Sequence, residues 1–335
     1  MRDKDMGKPK LVVLTPVLNE AWILPAFLKA TSLWADNIII ADQMSTDGSR
    51  ELYKQFPKVI VVDNPRKEMH QAQTRRLLFE AARKIEGDKI LFALDADEFI
   101  SGNFPQTESW KTIMNSKPGD TFCFKWMNLS SDGKKYLLAP DDHYYWAVHA
   151  NESVFDGTYP DDFIHEWRLP WPKQEGTTFK IDDIRFIHFL NTNIVRTYNK
   201  RLFYSVSQFI HPSNKRGGIA FGRFYRTNGC VHTLYDVPQD AYAYYEAHGL
   251  DIWKEINFKD VGQHYIQVVL DKINGPEIKK LRKLDIWNED VLRQNGIKDP
   301  RRPIDKLMHW YLRKTCRVSK SFVVRGIDFL LKRLY

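Results

Sequence analysis

Four short apolar segments in the first hundred residues alternate with helix-like segments, and each ends at a polar or acidic residue. The apolar segments are residues 11–14, 38–40, 59–62 and 90–94, and amphipathic stretches at 20–34, 49–56 and 70–86 separate them. Strands that alternate with helices pair into a mostly parallel sheet through right-handed crossovers. The sequence therefore predicts an α/β fold, with a mostly parallel sheet flanked by helices and a C-terminal helical extension.

Three of these apolar segments are followed by acidic side chains. Asp42 follows 38–40, Asp63 follows 59–62, and Asp95 and Asp97 follow 90–94. The carboxyl ends of parallel strands open at one edge of the sheet, where α/β proteins bind ligands. Two carboxylates one residue apart, Asp95 and Asp97, suit a hard divalent cation that also binds a diphosphate. Taken alone, the same pair is equally well interpreted as a solvated turn after a core strand.

The composition is that of a globular protein, with 43% hydrophobic and 27% charged residues among 335. The three cysteines, Cys123, Cys230 and Cys316, are far apart and form no Cys-x-x-Cys pair. This predicts reduced thiols and no thiolate zinc site, as in a cytoplasmic protein. The N-terminus lacks the apolar stretch of a signal peptide, and no apolar run is long enough to span a membrane.

Three motifs occur in order: Thr15-Pro-Val-Leu-Asn-Glu20, Asp42-Gln-Met-Ser-Thr-Asp-Gly-Ser49 and Leu94-Asp-Ala-Asp-Glu98. Together they resemble the family 2 glycosyltransferases, over roughly residues 10–200. The resemblance implies a nucleotide-sugar-binding fold of the glycosyltransferase A type and a nucleoside-diphosphate sugar donor. It also implies Mg²⁺ or Mn²⁺ as cofactor.

The resemblance also implies roles for individual residues. Asp95 and Asp97 would bind the metal, with Asp97 the more direct ligand, and Asp47 would be structural. The helix with Arg75 and Arg76 would reach the diphosphate, and which of the two arginines does so is open. The residues implied to contact the base and its ribose are Thr15, Pro16, Glu20 and Asp42. The usual Asp-Asp-Gly-Ser opening of the second motif is altered here, which leaves the identity of the base open.

Downstream segments at 163–166, 186–188 and 200–204 are similar to bacterial enzymes that build lipopolysaccharide cores and other surface glycans. Glycosyl transfer needs a base for the acceptor hydroxyl. Our candidate is Glu166, oriented by His165, and Asp161 or Asp162 are substitutes. The alternative is an exposed His-Glu pair on a turn. A single base in a direct displacement predicts inversion at the anomeric carbon.

His188 ends an apolar strand. It is a candidate third metal ligand or phosphate contact, and the alternative is a satisfied core histidine. The Asn19-Glu20 and Ser45–Ser49 segments are candidates for capping the first two helices.

The basic charge lies at the C-terminal end, where residues 301–335 carry ten lysines and arginines against Asp305 and Asp328. Apolar and basic residues alternate there at helical spacing. This suits either a helix on the inner, anionic face of a membrane or an ordinary helix docked on the enzyme. We expect a catalytic domain at 8–215 and a mainly helical region at 216–335.

The leading hypothesis is an inverting, metal-dependent glycosyltransferase with a cell-envelope glycan or glycolipid acceptor. A sugar nucleotidyltransferase is the enzymatic alternative. Such enzymes usually have a glycine-rich phosphate-binding loop after the first strand, and the segment at that place here contains no glycine. A non-catalytic protein that binds a membrane or another anionic surface is the other alternative. No signature of RNA or DNA binding occurs.

Overall fold

The computed structural model describes residues 8–66, 70–138, 144–158, 168–170, 173, 176–212, 214, 216–227, 233–294 and 296–335. The chain forms two compact units. Unit 1 comprises Met1–Asn193 and Leu234–Asp260, and unit 2 comprises Ile194–Thr233 and Val261–Tyr335. The catalytic and helical regions expected on either side of residue 215 stay a prediction.

The described strands all belong to unit 1. They are β1 (Lys10–Val17), β2 (Asn37–Asp42), β3 (Val59–Asp63), β4 (Lys89–Ala93), β5 (Glu98–Ile100), β6 (Thr121–Leu129), β7 (Lys135–Leu138), β8 (Tyr144–His149), β9 (Thr178–His188) and β10 (Leu234–Asp236).

The described helices in chain order are α1 (Leu24–Ser32), α2 (Ser49–Tyr53), α3 (Gln71–Arg83), α4 (Glu108–Met114), α5 (Glu152–Phe155), α6 (Ile194–Ile210), α7 (Gly218–Thr227), α8 (Ala243–Ala247), α9 (Gln263–Ile273), α10 (Ile278–Leu281), α11 (Glu289–Gln294), α12 (Pro303–Lys314) and α13 (Phe322–Leu334). Unit 2 contains α6, α7 and α9 to α13.

The sheet of unit 1 runs in the order β10-β7-β6-β8-β4-β1-β2-β3, and β9 pairs with β5 and β6. Strands β4, β1, β2 and β3 are parallel neighbours, and the α/β class predicted from the strand-helix alternation is confirmed. The later strands β7, β8 and β10 pair antiparallel. The register sets Val17 opposite Asp42 and Asp42 opposite Asp63, so the carboxyl ends of three strands share one edge.

The parallel strands β1, β2 and β4 are buried on both faces and are mostly apolar, whereas β3 at the edge of the sheet is partly exposed. Val13, Ile38 and Phe92 belong to one buried cluster, which includes α1 residues. Val12, Ile39 and Leu91 point to the other face, into a cluster with α3 residues. Successive residues of a strand face opposite sides, so each strand supplies both layers of the core.

Two local predictions were wrong. Neither α1 nor α2 has a side-chain cap at its N-cap residue, Ile23 and Gly48 respectively. Asn19 binds the neighbouring loop instead, whereas Asp47 accepts a hydrogen bond from the N–H of Ser49, the first residue of α2. The sequence of residues 179–190 also predicts a pair of strands, but these residues belong mainly to the single strand β9. This strand pairs with β6 on one side and β5 on the other, so no turn is needed within it.

In unit 2, α7, α12 and α13 share a small apolar cluster formed by Ile219, Met308 and Leu312 with Leu331 packed against it.

Cys123, in unit 1, is a free buried thiol, whereas Cys316 is disulfide-bonded, contrary to the reduced thiols predicted. Among the helices of the described residues, none combines the length and the apolar character that crossing a bilayer requires.

Candidate active site

The loop after β1 is bound to the loop after β2 by side-chain hydrogen bonds. Asn19 Oδ1 accepts a hydrogen bond from Thr46 N at 2.7 Å, and Asn19 N donates to Ser45 Oγ at 2.9 Å. Asp47 Oδ2 accepts from Ala21 N at 2.8 Å. Asn19 has a φ of 53°, a conformation that asparagine tolerates better than most residues. The first two motifs therefore form one ordered structure at the sheet edge.

Asp42 is fully buried where β2 ends, and both its carboxylate oxygens are bonded within the protein. Oδ1 accepts hydrogen bonds from Ser45 N at 2.9 Å and Arg50 Nη1 at 2.8 Å, and Oδ2 accepts from Tyr53 OH at 2.7 Å. Arg50 also binds Asp63 at 2.7 Å, which joins the ends of β2 and β3. The pKa of Tyr53 is raised, mainly because the hydroxyl is buried and also because it donates a hydrogen bond to Asp42. The contact between Asp42 and a nucleotide base stays a prediction.

Glu98 lies at the centre of the third motif and organises it. Its buried carboxylate accepts hydrogen bonds from Asp95 N at 2.9 Å and Trp126 Nε1 at 2.6 Å. It also forms an ion pair with Arg168, in which Arg168 Nη2 lies 2.8 Å from Oε1. These contacts fix the backbone of the turn that carries the two aspartates.

Two arginines flank Asp95. Arg75 Nη2 donates to Asp95 Oδ1 at 2.9 Å, and Arg168 Nη2 donates to Oδ2 at 2.8 Å. Burial lowers the pKa of the Arg168 guanidinium, but the charges of Asp95 and Glu98 outweigh this, and the net pKa is raised. For Arg75 burial is the largest effect, and its pKa is lowered despite Asp95. The arginines thus hold Asp95 from both sides.

Asp97 is buried and faces a histidine. His188 Nε2 lies 3.5 Å from Asp97 Oδ1, and His188 Nδ1 is 2.7 Å from Asn128 Oδ1. An amide oxygen can only accept, so Nδ1 carries a proton, and Nε2 is the ring nitrogen that faces Asp97. Burial lowers the pKa of His188, but the negative charge of Asp97 more than compensates, and the net pKa is raised. The ring is also stacked on Trp126, with the centroids 5.3 Å apart.

Some buried polar atoms of this region have no hydrogen-bond partner in the described structure. They include Thr15 Oγ1 in β1 and, on α3, Gln73 Oε1 and Arg75 Nη1. A buried donor without a partner costs free energy, of order 1–3 kcal/mol. Such atoms at a sheet edge are therefore candidates for ligand contacts.

The structure brings two pairs of predicted site residues together, Arg75 with Asp95 and Asp97 with His188. Thr15 and Pro16 pair with Ile40 and Ala41 in the sheet. Arg76 is exposed on α3, whereas Arg75 is buried. Glu20 is buried and accepts a hydrogen bond from Trp22 Nε1 at 2.6 Å. The candidate bases are Glu166, Asp161 and Asp162. These three residues and His165 lie outside the described residues.

Sequence reasoning missed Arg168, Trp126 and Asn128. Arg168 binds residues 70 and 73 positions away in the sequence, Glu98 and Asp95. No periodicity or local motif marks such pairs. The one signal was position, because Arg168 lies two residues after Glu166, the residue proposed as the base.

In the described part of the chain, no group of three or more histidine, cysteine or acidic side chains is arranged to hold a metal ion. The residues that would fit a cation are the Asp97–His188 pair. Metal-binding histidines usually donate their second N–H to a neighbouring oxygen, as His188 Nδ1 does to Asn128. A cation bound at this pair would need further ligands besides these two side chains.

Comparison with known proteins gives one family. The sequence model described as Glycosyl transferase family 2 matches residues 12–107. No curated protein matches the chain.

Solved structures give weak likenesses. Residues 1–349 of TarS from S. aureus are 11% identical, with a TM-score of 0.39, over 93% of this chain and 91% of that one. Glucosyl-3-phosphoglycerate synthase from Mycobacterium tuberculosis, solved with Mn²⁺, UDP and phosphoglyceric acid, is 18% identical, with a TM-score of 0.27, over 36% and 44%. The inositol-1-phosphate CTP transferase from T. maritima is 9% identical, with a TM-score of 0.34, over 55% and 90%.

At these TM-scores the structural likenesses carry no argument about this chain. The assignment depends on the three motifs, on the α/β sheet that carries them at one edge, and on the family match. Residues 12–107 match the family 2 glycosyltransferase model, and the chain is a glycosyltransferase that uses a nucleotide sugar.

Proposed function

We propose that the protein is an inverting, metal-dependent glycosyltransferase that moves a sugar from a nucleoside-diphosphate donor to a hydroxyl of a cell-envelope glycan or glycolipid. The observation that carries the proposal is the third motif. It places Asp97 against the Nε2 of His188 and Asp95 against Arg75. A cation at Asp97 and a phosphate at Arg75 would then bind at the same motif, as the binding of a metal diphosphate requires.

Asp97 and His188 would bind the metal, Mg²⁺ or Mn²⁺, with Asp95 in support. Their donor set of one carboxylate and one imidazole suits Mn²⁺ at least as well as Mg²⁺. Such ions commonly complete their coordination with substrate phosphates rather than with a closed protein cage. When bound, the metal would neutralise charge on the leaving diphosphate.

Arg75 would bind the diphosphate directly. Its Nη1 is buried without a partner while its Nη2 is held by Asp95, so one N–H group is already oriented. Arginine matches phosphate oxygens with parallel N–H groups. Arg76, exposed on the same helix, would add to the positive charge there.

The nucleoside would bind between the loops that follow β1 and β2. Thr15, Pro16 and Glu20 would line the base and ribose, and Asp42 would hold the second loop against them. The bonds from Asn19 and Asp47 across these loops support this assignment, because they order the pocket before the ligand arrives.

Glu166, oriented by His165, would take the proton from the acceptor hydroxyl. The acceptor oxygen forms a bond to the anomeric carbon as the bond from that carbon to the diphosphate oxygen breaks. The proton passes to the Glu166 carboxylate, and the nucleoside diphosphate leaves with the electron pair. Arg168 supports this choice, because it stands two positions after Glu166 in the sequence and is bound to Asp95 and Glu98. A single displacement of this kind inverts the anomeric configuration.

The cell-envelope acceptor and a cytoplasmic site of action are proposed on the resemblance of residues 163–166, 186–188 and 200–204 to enzymes of bacterial surface glycans. A lipid-linked acceptor would bring the enzyme to the inner face of the membrane.

The test is a thermal-shift screen of nucleoside diphosphates with and without Mn²⁺. We expect one diphosphate to stabilise the protein strongly only when Mn²⁺ is present. Asp97→Asn should lose the metal-dependent part of that shift. Asp182→Asn is the matched control, because Asp182 is an exposed carboxylate on β9 paired with Lys125.

With the donor base known, incubation with its nucleotide sugars should release the nucleoside diphosphate, and NMR should show the inverted anomer in the product. Equal stabilisation by diphosphates with and without Mn²⁺ in wild type and Asp97→Asn would contradict the metal role. Release of inorganic pyrophosphate from a nucleoside triphosphate and a sugar phosphate would instead establish nucleotidyl transfer.

A further inference from the structure

Helix α13 in unit 2 is apolar on two opposite sides. Its inner side packs within the unit, with Val324 and Asp328 buried and Leu331 against the cluster of α7 and α12. Its outer side carries five large apolar side chains. These are Phe322 (92% exposed), Val323 (68%), Ile327 (40%), Phe329 (56%) and Leu330 (60%), called here the α13 outer face. An ordinary docked helix has one apolar side.

The charges around this face are almost all positive. Within residues 301–335 the two acidic residues are buried and paired, Asp305 with Arg302 and Asp328 with Arg223. Among the basic side chains of this segment, Arg301 and Lys306 pair with Asp299 and Arg313 pairs with Asp285. Arg325 and Lys332 are exposed on α13 itself, so the surface of this helix combines exposed apolar side chains with positive charge.

A buried network holds α13 in place. Arg223 of α7 donates to Asp328 at 2.7 Å and to Thr315 Oγ1 at 2.5 Å, and Tyr311 OH donates to Asp328 Oδ1 at 2.8 Å. These contacts fix the inner side of the helix, so the outer face is directed away from the core of unit 2. The neighbouring helix α12 exposes a smaller apolar set, Ile304, Leu307 and Trp310.

We propose that the α13 outer face docks onto the surface of an anionic lipid bilayer, with α13 lying in the plane of the interface. A helix of 13 residues is about 20 Å long, which is too short to span the hydrocarbon layer but suits the interface. Helices of this kind insert apolar side chains at the acyl boundary while lysine and arginine contact acidic headgroups.

Charge favours a lipid surface over a second copy of the chain. Two copies meeting through this face would bring their exposed basic side chains together, without an exposed acidic residue of 301–335 to compensate. An anionic bilayer supplies both the apolar phase and the negative charge. The proposal does not depend on the donor site, although it would place the enzyme beside a lipid-linked acceptor.

The test is co-sedimentation of the full chain with vesicles of phosphatidylcholine alone and of phosphatidylcholine mixed with phosphatidylglycerol. We expect strong binding to the mixed vesicles only. Binding should weaken as NaCl is raised from about 0.1 M to about 1 M, because the Debye length falls from ~10 to ~3 Å.

The double variant F322S/L330S should lower the vesicle partition coefficient roughly a hundred-fold, since burying each large apolar side chain contributes about ten-fold or more. The variant R325Q/K332Q should lower it by roughly five-fold per charge. Val268→Ser, which removes an exposed apolar side chain from α9, is the matched control and should bind as wild type.

Thermal melting with and without a nucleoside diphosphate and Mn²⁺ monitors folding and donor binding. Loss of donor binding can therefore be distinguished from loss of vesicle binding. Binding to neither vesicle, or equal binding by wild type and F322S/L330S, overturns the proposal. Concentration-dependent dimerisation that F322S/L330S abolishes, without vesicle binding, would assign the face to a second copy and also overturns it.

Discussion

Replacing Arg168 with methionine should destabilise unit 1 strongly. Arg168 binds both Glu98 and Asp95 and also donates to Ala93 O at 3.2 Å. The Glu98 side chain has no exposed surface, so losing the guanidinium leaves its charge buried with only neutral N–H donors of Asp95 and Trp126. Removing one partner of a buried ion pair costs about 3–5 kcal/mol.

At roughly 2–4 °C per kcal/mol for a unit of this size, the melting temperature should fall by about 6 °C or more. The assay is thermal unfolding followed by circular dichroism, without ligand. Arg83→Met is the matched control. Arg83 pairs with Glu152 and Asp156 on the surface, where ion pairs contribute little, and we expect no resolvable shift.

A double-mutant cycle checks the cause. If the buried charge is responsible, Glu98→Gln should recover part of the loss in the Arg168→Met background. A melting temperature within about 2 °C of wild type for Arg168→Met, or a double variant no more stable than the single one, would refute this account of the third motif.

Three further predictions concern other parts of the chain. Arg75→Met should weaken nucleoside-diphosphate binding by roughly ten- to hundred-fold in isothermal titration and leave nucleoside binding unchanged, because a charge-assisted hydrogen bond contributes about 1.5–3 kcal/mol. Burial lowers the pKa of His309 to about 4. The unfolded state therefore binds the extra proton between about pH 6.5 and pH 4, and stability should fall by roughly 3 kcal/mol as pH drops through that window. His309→Gln should flatten this part of the urea-unfolding profile, and an unchanged profile would assign the acid loss elsewhere. Asp47→Ala should cost about 1–3 kcal/mol, since it removes bonds to Ala21 N, Ser49 N and Ser49 Oγ, and should slow transfer by loosening the first loop.

The sequence predicted those parts of the fold that depend on short-range patterns. Apolar runs such as residues 90–94 indicated strands because both faces of the sheet are buried there, and the polar residue after each run marked the carboxyl edge of the sheet. The positions of Asp95 and Asp97 followed from this.

Contacts between residues far apart in the sequence could not be predicted from such short-range patterns. Arg168 and Glu98 are joined across 70 positions, and nothing in the residues around either predicts the other. Asn19 was expected to cap a helix because its side chain suits that role. It instead binds Thr46 N, since the parallel register brings the two loops together. Likewise, the pairing of β9 with both β5 and β6 removes the break expected within it.

The enclosure of Asp42 has a consequence for mutagenesis. A variant of Asp42 that no longer binds nucleotide would not by itself identify a base contact, because the same change releases Arg50, Tyr53 and the backbone of Ser45. Tyr53→Phe removes one of those bonds and keeps the carboxylate. If it reproduces most of the loss, Asp42 serves recognition indirectly, by setting the shape of the loop before any nucleotide arrives.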